Sequence, residues 1–468
     1  MRISLPLERA RALVLLSVSF LLVALVACSS ELAPGSNGTS ADGGTPAVVG
    51  GVTFNHDIAP IVEKSCVGCH SKGGIAPFSL ATFSDAKPMA GAMIAAVKER
   101  RMPPWSARVD ATCTPPASYQ HDPSLSEADI AKIEKWKADG LQEGDPKEAR
   151  PLVGATSGLA NPSAELAANM PFSVSGERDL FRCFVLDPKL SAQTFLSGFH
   201  VIPGSSQVVH HAILYSDPKG QSVGLAGQQG SYECFGGARV GQSEILGVWA
   251  PGARAMEYAE GAAAQLAAGT KLVLQVHYHP KPGATIPDQT KVQLRYSETI
   301  PRYLAINQLI GNFTGSSPGS ELVKQPDESS PKFLIPAGAS NHVEEMLFTV
   351  PNGIGQVYLA SIGGHAHLLG KDILITSKSS GVDQCLLHIP SWDFNWQRAY
   401  TFDKPIEQLP LVKSGDQLRL KCTYDNTLGN KALATELASR GGSLQDVNLG
   451  EETMDEMCLA FITVYKGL

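Results

Sequence analysis

The sequence lacks the excess of basic residues that nucleic-acid-binding proteins carry. Lys and Arg number 38 against 45 Asp and Glu, which gives a formal net charge of -7. Without a basic footprint the chain has nothing to attract a phosphate backbone, so nucleic acid is excluded as a predicted partner. The 468 residues are too many for one compact core, and at roughly 100–200 residues per domain they predict about three domains.

The sequence also lacks an apolar run long enough to cross a membrane comfortably. The stretch Leu13–Ala27 follows a basic start and gives way abruptly to Ser, Gly and Asn, which is typical of a targeting signal. It ends in Leu25-Val26-Ala27-Cys28, which resembles the lipobox of bacterial lipoproteins. The resemblance implies that residues 1–27 are a signal peptide and that Cys28 is acylated, which anchors the chain to a membrane at about 0.8 kcal/mol per buried methylene. The alternative is an ordinary secretory signal with an incidental cysteine.

The residues after Cys28 predict a location and a tether. Ser29 and Ser30 follow instead of Asp, and by analogy with lipoproteins this indicates sorting within the bacterial cell envelope to the outer membrane, facing the periplasm or the cell surface. Residues 28–50 are rich in Ser, Gly, Ala, Thr and Asp. Such a composition cannot bury a core, so we expect a flexible tether.

A haem-attachment motif stands in residues 51–150, a region predicted to be helices joined by loops. The motif is Cys66-Val67-Gly68-Cys69-His70, and Cys-x-x-Cys-His is the signature of covalent c-type haem. Two thiols three residues apart on a helical turn reach both vinyl groups of one porphyrin, and the adjacent His70 supplies an axial ligand to iron. A zinc site lacks a second ligand pair nearby, and a thioredoxin-like dithiol lacks a βαβ context.

The sixth iron ligand should be a thioether or a second imidazole. The candidates are Met89, Met93, Met102 and His121. We favour Met102, because it follows a predicted helix over Met89–Arg101 and is held by Pro103 and Pro104 in a stiff, extended loop.

Two further helices frame this region. Asn55 or Asp57 can cap a first helix that has Pro60 in its first turn. A last helix is capped by Ser126 with Asp129 three residues on, buries a stripe of apolar residues and stops at Gly140. That stripe consists of Ile130, Ile133 and Trp136. The segment Cys66–Gly140 resembles a small class I cytochrome c domain.

The remainder of the chain predicts β-sandwiches. With 45 Gly and 31 Pro, short strands and turns are favoured over long helices. Short apolar runs alternate with turn signals, which argues against a parallel sheet. The runs are Phe181–Leu186, Val208–Tyr215, Leu272–His279, Val357–Ile362, Asp372–Ile375, Gln417–Cys422 and Leu459–Val464.

Histidines cluster in this β region as metal ligands do. Strand alternation puts Gln275, His277 and His279 on one face, and His365 and His367 likewise share a face. His210 and His211 are adjacent, so both can bind one metal only at a strand end or at a β-bulge. Imidazoles together with a thioether suit copper better than zinc or calcium.

Four motifs, in this order, resemble the copper type II, ascorbate-dependent monooxygenase family, which includes peptidylglycine α-hydroxylating and dopamine β-monooxygenases. The resemblance covers about 290 residues, from near Glu177 to the C-terminus. The motifs are His210-His211, Leu274-Gln275-Val276-His277-Tyr278, His365-Ala366-His367-Leu368-Leu369-Gly370-Lys371 and Asp455-Glu456-Met457-Cys458.

The resemblance implies two copper ions and a set of ligands for each. His210, His211 and His277 would bind the copper that handles electron transfer. The copper where O2 and substrate meet would be held by the catalytic ligands His365, His367 and Met457. The two ions would face each other across an open cleft, with Gln275 between them and His279 as an outer or alternative ligand.

The resemblance also implies a fold, a domain order and two disulfides. Two successive jelly-roll sandwiches would meet near Tyr303. The complete prediction is therefore a multidomain chain: a small all-α cytochrome c domain over 51–150, a linker over 151–176, and mainly-β sandwich domains over 177–303 and 304–468.

Nine cysteines are present. With Cys28 assigned to lipid and the motif pair to haem, an even number, six, remains for an oxidising compartment, so disulfides are expected. The resemblance pairs four of them, as Cys183–Cys234 and Cys422–Cys458. The other two, Cys113 and Cys385, have no counterpart in the family and either pair with each other or stay free.

Departures from the family limit the substrate. Where the peptide-amidating branch has an Arg that holds a substrate carboxylate, this chain has Gly363, and the nearby Asn and Tyr become Leu459 and Phe461. Peptide amidation is therefore disfavoured, and a smaller or more apolar substrate is predicted.

The predicted function is hydroxylation of a C–H bond by O2, an oxidoreductase reaction on paired donors that incorporates one oxygen atom. Electrons would come from an ascorbate-like reductant or another redox protein, with the fused haem as conduit. The alternative is a haem- and copper-binding electron-transfer lipoprotein without hydroxylase activity.

Overall fold

A computed structural model describes residues 51–72, 76–104, 107–153, 158–250, 253–281, 283–312, 319–326, 329–450 and 452–468. The predicted signal peptide, the acylated Cys28 and the tether lie outside these residues. The described residues fall in one compact unit, Val49–Leu468. They are mainly β-sheet, with 24 strands and five α-helices, and none of the helices is long and apolar enough to span a bilayer.

Three of the helices lie in residues 51–150. The five helices are α1 (Ala59–Ser65), α2 (Phe83–Lys98), α3 (Glu127–Ala138), α4 (Gln221–Ala226) and α5 (Lys431–Arg440). The cap of α3 is as predicted, because Ser126 and Asp129 exchange hydrogen bonds in a capping box. Its stripe of Ile130, Ile133 and Trp136 is buried in a cluster of its own, apart from the core of the β region.

The first two helices differ from the predictions at their ends. A π-helical turn, Phe54–Ile58, precedes α1, so neither Asn55 nor Asp57 is its cap. Thr82 caps α2 by accepting a hydrogen bond from the Asp85 N–H, so α2 begins six residues before the predicted start and ends at Lys98. The side-chain cap decides the start, whereas the prediction relied on apolar periodicity alone.

Twelve strands precede Tyr303. They are β1 (Ala164–Ala167), β2 (Phe172–Val174), β3 (Leu180–Leu186), β4 (Thr194–Ile202), β5 (Val209–Asp217), β6 (Ser231–Glu233), β7 (Ile245–Trp249), β8 (Met256–Glu257), β9 (Ala262–Leu266), β10 (Lys271–Tyr278), β11 (Ile286–Asp288) and β12 (Lys291–Tyr296). Ten of them form two sheets: one has the order β1-β12-β4-β9 with β8 also paired to β4, and the other has the order β6-β3-β10-β5-β7. The remaining two, β2 and β11, pair with each other.

Twelve more strands begin at Tyr303. They are β13 (Tyr303–Asn312), β14 (Ser320–Leu322), β15 (Leu334–Ile335), β16 (His342–Thr349), β17 (Gln356–His365), β18 (Gly370–Ser379), β19 (Val382–Ile389), β20 (Tyr400–Thr401), β21 (Leu411–Lys413), β22 (Gln417–Tyr424), β23 (Val447–Asn448) and β24 (Cys458–Gly467). Ten of them again form two sheets: one has the order β13-β24-β17-β20 with β21 also paired to β17, and the other has the order β14-β16-β22-β18-β19. The remaining two, β15 and β23, pair with each other. Each of the seven apolar runs predicted to be strands coincides with one of the 24.

The two halves share one sheet. β13 pairs in parallel with β9 at Tyr303 and Leu304, which joins two of the sheets into a single ten-stranded sheet. The predicted boundary near Tyr303 thus coincides with the start of β13, and the sheet continues across it.

The segment predicted as a linker, 151–176, is partly sheet. It contains β1 and β2, and β1 pairs antiparallel with β12. The residues of Ala164–Ala167, two Ala with one Glu and one Leu, carry little intrinsic strand preference, so it is pairing with a distant strand that orders them.

Three disulfides are present among the described cysteines. Cys183–Cys234 and Cys422–Cys458 are the pairs that the family resemblance implied. Cys113 and Cys385, left open by the sequence, are bonded to each other. This third bond fastens residues 107–121, which lie between α2 and α3, to β19.

Candidate metal centres

A β-bulge brings two adjacent histidines to one side of a strand. On β5 and β10, His211 lies opposite His277 and Val209 lies opposite Tyr278, so His210 is the extra residue. A bulge leaves two residues of one strand facing one residue of the other and redirects the extra side chain. This is the arrangement that the sequence required if His210 and His211 were to share a metal.

Three imidazoles meet at this bulge. The Nδ1 atom of His210 lies 3.3 Å from those of His211 and His277, which are 3.2 Å from each other. Nitrogen ligands about 2.0–2.1 Å from a tetrahedral metal are separated by roughly 3.3 Å. Three neutral imidazole nitrogens cannot satisfy one another by hydrogen bonding, whereas one cation satisfies all three. The three residues fit a metal ion, and we name them the first cluster.

Burial keeps the first cluster ready to bind. It lowers the pKa of His210 to about 4, with a further contribution from His277, and it lowers the pKa of His211 well below its usual range. Both rings are therefore neutral at neutral pH, which is the form that binds metal.

Asp179 links the first cluster to an outer histidine. Its Oδ2 lies 3.0 Å from His277 Nε2, a close contact whose angle falls outside hydrogen-bond geometry. Its Oδ1 lies 2.8 Å from His279 Nδ1. Burial raises the pKa of Asp179, but these imidazole contacts outweigh burial and leave the pKa lowered. His279 is thus an outer residue and not part of the cluster.

A second pair of histidines lies at the ends of β17 and β24. His365 and His367 have ring centroids 5.1 Å apart. The Nδ1 of His365 contacts Gln397 Oε1 at 2.8 Å, and the Nδ1 of His367 contacts the Asp455 carbonyl at 3.0 Å. With both Nδ1 atoms engaged, each ring has its Nε2 left for a metal.

Met457 belongs to the same corner. His365 pairs with Leu459 on the antiparallel strand. His367 follows His365 by two residues and Met457 precedes Leu459 by two, so the antiparallel direction brings His367 and Met457 close to each other. Met457 is buried. We name His365, His367 and Met457 the second cluster.

A buried carboxylate ties the second cluster together. Glu456 accepts hydrogen bonds from the backbone N–H groups of His367, Leu369 and Met457 at 2.7–3.1 Å. Burial raises the pKa of Glu456 to about 8, against the opposing effect of these backbone donors. Burial also lowers the pKa of His365, assisted by His367, to about 3.

A loop between β19 and β20 touches both clusters. The Phe394 ring lies 6.4 Å from the His210 ring and 5.8 Å from the His367 ring, between centroids. Asn395 hydrogen-bonds His210, and Trp392 Nε1 donates to the His367 carbonyl at 3.1 Å. We name residues 391–398 the bridging loop.

A cleft of about 1460 Å³ opens beside both clusters. It is lined by His211 and His365, by the apolar Leu459 and Phe461, and by Cys69 of the haem motif. One cleft therefore reaches both clusters and the helical region.

The Cys66-Val67-Gly68-Cys69-His70 motif forms a turn with two free thiols. Cys66 and Cys69 are not disulfide-bonded, unlike the other six described cysteines. The His70 N–H donates to the Cys66 carbonyl, so the motif forms a helical turn, and His70 Nδ1 contacts the Phe78 carbonyl at 3.2 Å. That contact leaves Nε2 for an axial ligand. Met102 lies in the loop after α2 and is 37% exposed.

Several partners of the clusters escaped the sequence analysis. Asp179 and Gln397 contact histidines that are distant in the chain, and no motif marks them. Glu456 stands within a quoted motif, but its hydrogen bonds to backbone N–H groups were not predicted. Gln275 was expected between the clusters. Instead its amide donates to the Cys234 carbonyl at 2.7 Å, and the Tyr215 hydroxyl donates to it.

Comparison with known proteins bears on the C-terminal part of the chain. The family described as copper type II ascorbate-dependent monooxygenase, C-terminal domain, matches residues 340–468, which contain the second cluster. The match supports this family, and at family level a copper-binding monooxygenase that uses O2 and an ascorbate-like reductant on a small-molecule substrate. No curated protein matches the chain.

Three of the solved structures that match this chain are only faintly similar to it. The major capsid protein P2 of bacteriophage PM2 is 12% identical with a TM-score of 0.22, over 65% of this chain and 97% of that one. Recombinant pro-11S globulin of pumpkin is 8% identical with a TM-score of 0.15, over 66% and 86% of the chains. Vicilin of Corylus avellana (hazelnut) is 8% identical with a TM-score of 0.11, over 56% and 85%. Scores this low carry no argument about fold or function.

Proposed function

We propose that the chain hydroxylates a C–H bond of a small organic substrate with O2, using copper at both clusters and a covalent haem c as electron conduit. The observation that carries the proposal is the triangle of Nδ1 atoms in the first cluster, 3.2–3.3 Å on each edge, beside a second, separate histidine pair. The reaction balances as R–H, O2, two electrons and two protons giving R–OH and water.

The two clusters suit different tasks. The first cluster offers three imidazoles on two rigid strands, and this is a ligand set in which copper can change oxidation state. The second offers two imidazoles and one thioether, which leaves positions open. When bound, copper would supply electron transfer at the first cluster and O2 activation at the second. The chain's own contribution is to keep the rings of His210, His211 and His365 neutral by burial. Gln397 holds the His365 ring, and Glu456 holds the backbone beside His367 and Met457.

The cleft supports a small, apolar substrate. A Cβ added at Gly363 would lie 2.9 Å from the carbonyl oxygen of Arg398, so this position cannot carry the Arg that the peptide-amidating branch uses. Leu459 and Phe461 line the cleft beside His365. An apolar C–H group beside these two side chains would be sheltered from water.

The helical region supports a role as electron donor. Cys66 and Cys69 would hold the porphyrin, His70 would supply the axial nitrogen, and Met102 is the sixth ligand we propose. Cys69 and His211 line the same cleft, and this supports electron transfer from this region to the first cluster.

Metal and haem stoichiometry tests the proposal most directly. We expect two copper ions and one covalent haem per mature chain. Replacing Cys66 and Cys69 with Ser should abolish haem attachment and leave copper content unchanged. A mature chain that holds zinc in place of copper, or fewer than two coppers, would contradict the proposal.

Turnover separates a monooxygenase from an electron-transfer protein. Oxygen consumption is measured with ascorbate across a panel of amines, phenylethyl compounds and small aliphatics. His365→Ala or Met457→Ala should abolish substrate-dependent consumption without changing the haem spectrum, while His56→Ala, an exposed histidine of the helical region, should change neither. If no substrate is hydroxylated although both coppers are bound, the electron-transfer alternative is favoured.

The conduit is tested by reducing the haem and following its reoxidation by O2. Reoxidation should depend on copper at the first cluster and fail in His211→Ala. A haem that reoxidises equally fast without copper would exclude this route.

We also propose that Cys28 carries a lipid anchor in the bacterial envelope. Incorporation of labelled palmitate, lost in Cys28→Ser, would support it, and release of the chain from membranes by salt alone would contradict it.

A further inference from the structure

The bridging loop presents one polar side chain to the second cluster. Gln397 Oε1 lies 2.8 Å from His365 Nδ1, and Gln397 Nε2 donates to the Phe394 carbonyl at 3.0 Å. Both ends of the amide are thus engaged, one with the histidine and one with the loop's own backbone.

These two contacts fix which ring nitrogen of His365 carries hydrogen. Because the amide NH2 is directed to a carbonyl, the group that faces His365 is the amide oxygen, which only accepts hydrogen bonds. His365 Nδ1 must therefore carry the hydrogen, and the lone pair stands on Nε2. A neutral histidine whose Nδ1–H is held in this way presents Nε2 as a ligand in a fixed direction.

The position of Gln397 is itself fixed by the helical region. The next residue, Arg398, donates from its guanidinium to the carbonyl oxygens of Gln120 and His121 at 3.2 and 3.0 Å. The N–H of Gln120 in turn donates to the Thr401 carbonyl at 2.8 Å. Residues 118–121 thus hold the C-terminal end of the bridging loop in place.

The two histidines of the second cluster are held by different kinds of group. His367 Nδ1 is held by a backbone carbonyl, that of Asp455, which no substitution removes. His365 is held by a side chain, so its orientation depends on the identity of residue 397.

We propose that Gln397 is a positioning residue that fixes the tautomer and direction of His365 in the second cluster, and that the helical region, through Arg398, holds it there. The inference rests on the proposed function, since it takes His365 as a copper ligand. It assigns the helical region a second task besides electron supply, that of completing the second cluster.

The test compares two variants of the full-length holoprotein. Gln397→Leu keeps the size of the side chain and removes its acceptor, whereas Gln397→Glu keeps an acceptor at the same place. Gln356→Leu, at the exposed far end of β17, is the matched control. Copper is titrated against a chromophoric Cu(I) chelator, and electron paramagnetic resonance of Cu(II) distinguishes the two sites.

Outer partners of metal-bound histidines change metal affinity by about 10–100-fold. In Gln397→Leu we expect the second cluster to lose affinity by that factor and change its spectrum, while copper at the first cluster is unaffected and reports that the variant is folded. Gln397→Glu should stay within a few-fold of the unsubstituted protein, and Gln356→Leu should match it.

The outcomes separate this inference from the proposed function. Unchanged affinity and spectrum at the second cluster in Gln397→Leu would overturn the inference alone. Equal loss in the Leu and Glu variants would also overturn it, because the residue would then act by packing. Binding of only one copper by the unsubstituted protein would instead overturn the proposed function.

Discussion

Replacing Glu456 with Gln should destabilise the C-terminal sandwich and loosen the second cluster. Glu456 is fully buried. One of its oxygens accepts from the N–H groups of His367 and Met457 at 2.8 and 3.1 Å, and the other accepts from that of Leu369 at 2.7 Å. Both oxygens accept, so three buried backbone donors depend on this one side chain.

The magnitude follows from the number of donors left without an acceptor. Gln keeps one oxygen and turns an NH2 toward the remaining donors, so at least one buried N–H group loses its partner. Each such group costs about 1–3 kcal/mol. We therefore expect Glu456→Gln to lower the free energy of unfolding by about 1–3 kcal/mol and to weaken copper binding at the second cluster.

Chemical denaturation with and without copper measures both effects. Glu345→Gln is the matched control, because Glu345 forms a more exposed ion pair with Arg419, and such pairs contribute about 0–1 kcal/mol. If Glu456→Gln is no less stable than Glu345→Gln, the carboxylate does not hold the corner together and the reasoning is refuted.

Three further predictions concern other regions. Asp179→Asn should weaken copper binding at the first cluster by about 10–100-fold in a competition titration, and unchanged affinity would exclude Asp179 as its outer partner. Burial lowers the pKa of His200 from 6.5 to about 4, so the unfolded chain binds the extra proton first and stability should fall by about 3 kcal/mol as pH drops from about 6.5 to 4. His200→Asn should remove that part of the pH dependence in urea titrations, and an unaltered slope would contradict it. Replacing Cys113 and Cys385 with Ser should cost about 2–4 kcal/mol and expose residues 107–121 to limited proteolysis, whereas equal resistance would show that hydrogen bonds alone hold this segment.

Sequence reasoning identified ligands more readily than it identified their partners. His210, His211 and His277 are recognisable because strand periodicity and a bulge are local properties of the chain. Asp179 lies 100 residues from His279, which it contacts, and a single Asp before a strand carries no local signal. The role of Gln397 carries no local signal either, because it depends on the loop after β19 folding back onto His365.

Strands were predictable and their partners were not. The apolar runs coincide with strands. The parallel pairing of β9 with β13, however, joins segments about 40 residues apart, and no local sequence pattern specifies which strands pair. The same holds for β1, whose sequence carries little strand preference of its own and which is ordered by pairing with β12. The pairing of Cys113 with Cys385 follows from docking of the helical region, not from spacing.

The continuous sheet bears on how the two clusters communicate. Between the sandwiches, Asn307 donates to the Leu246 carbonyl at 3.1 Å and to the Tyr258 hydroxyl at 2.8 Å, and its own carbonyl accepts from Thr463 at 2.7 Å. These bonds connect β7, beside the first cluster's strand β5, to β24, which begins next to Met457. A satisfied polar network of this kind, added to the shared sheet, resists hinge motion, because opening the halves would leave its groups without partners. The shared sheet and this network therefore hold the two sandwiches, and with them the two clusters, at a fixed separation.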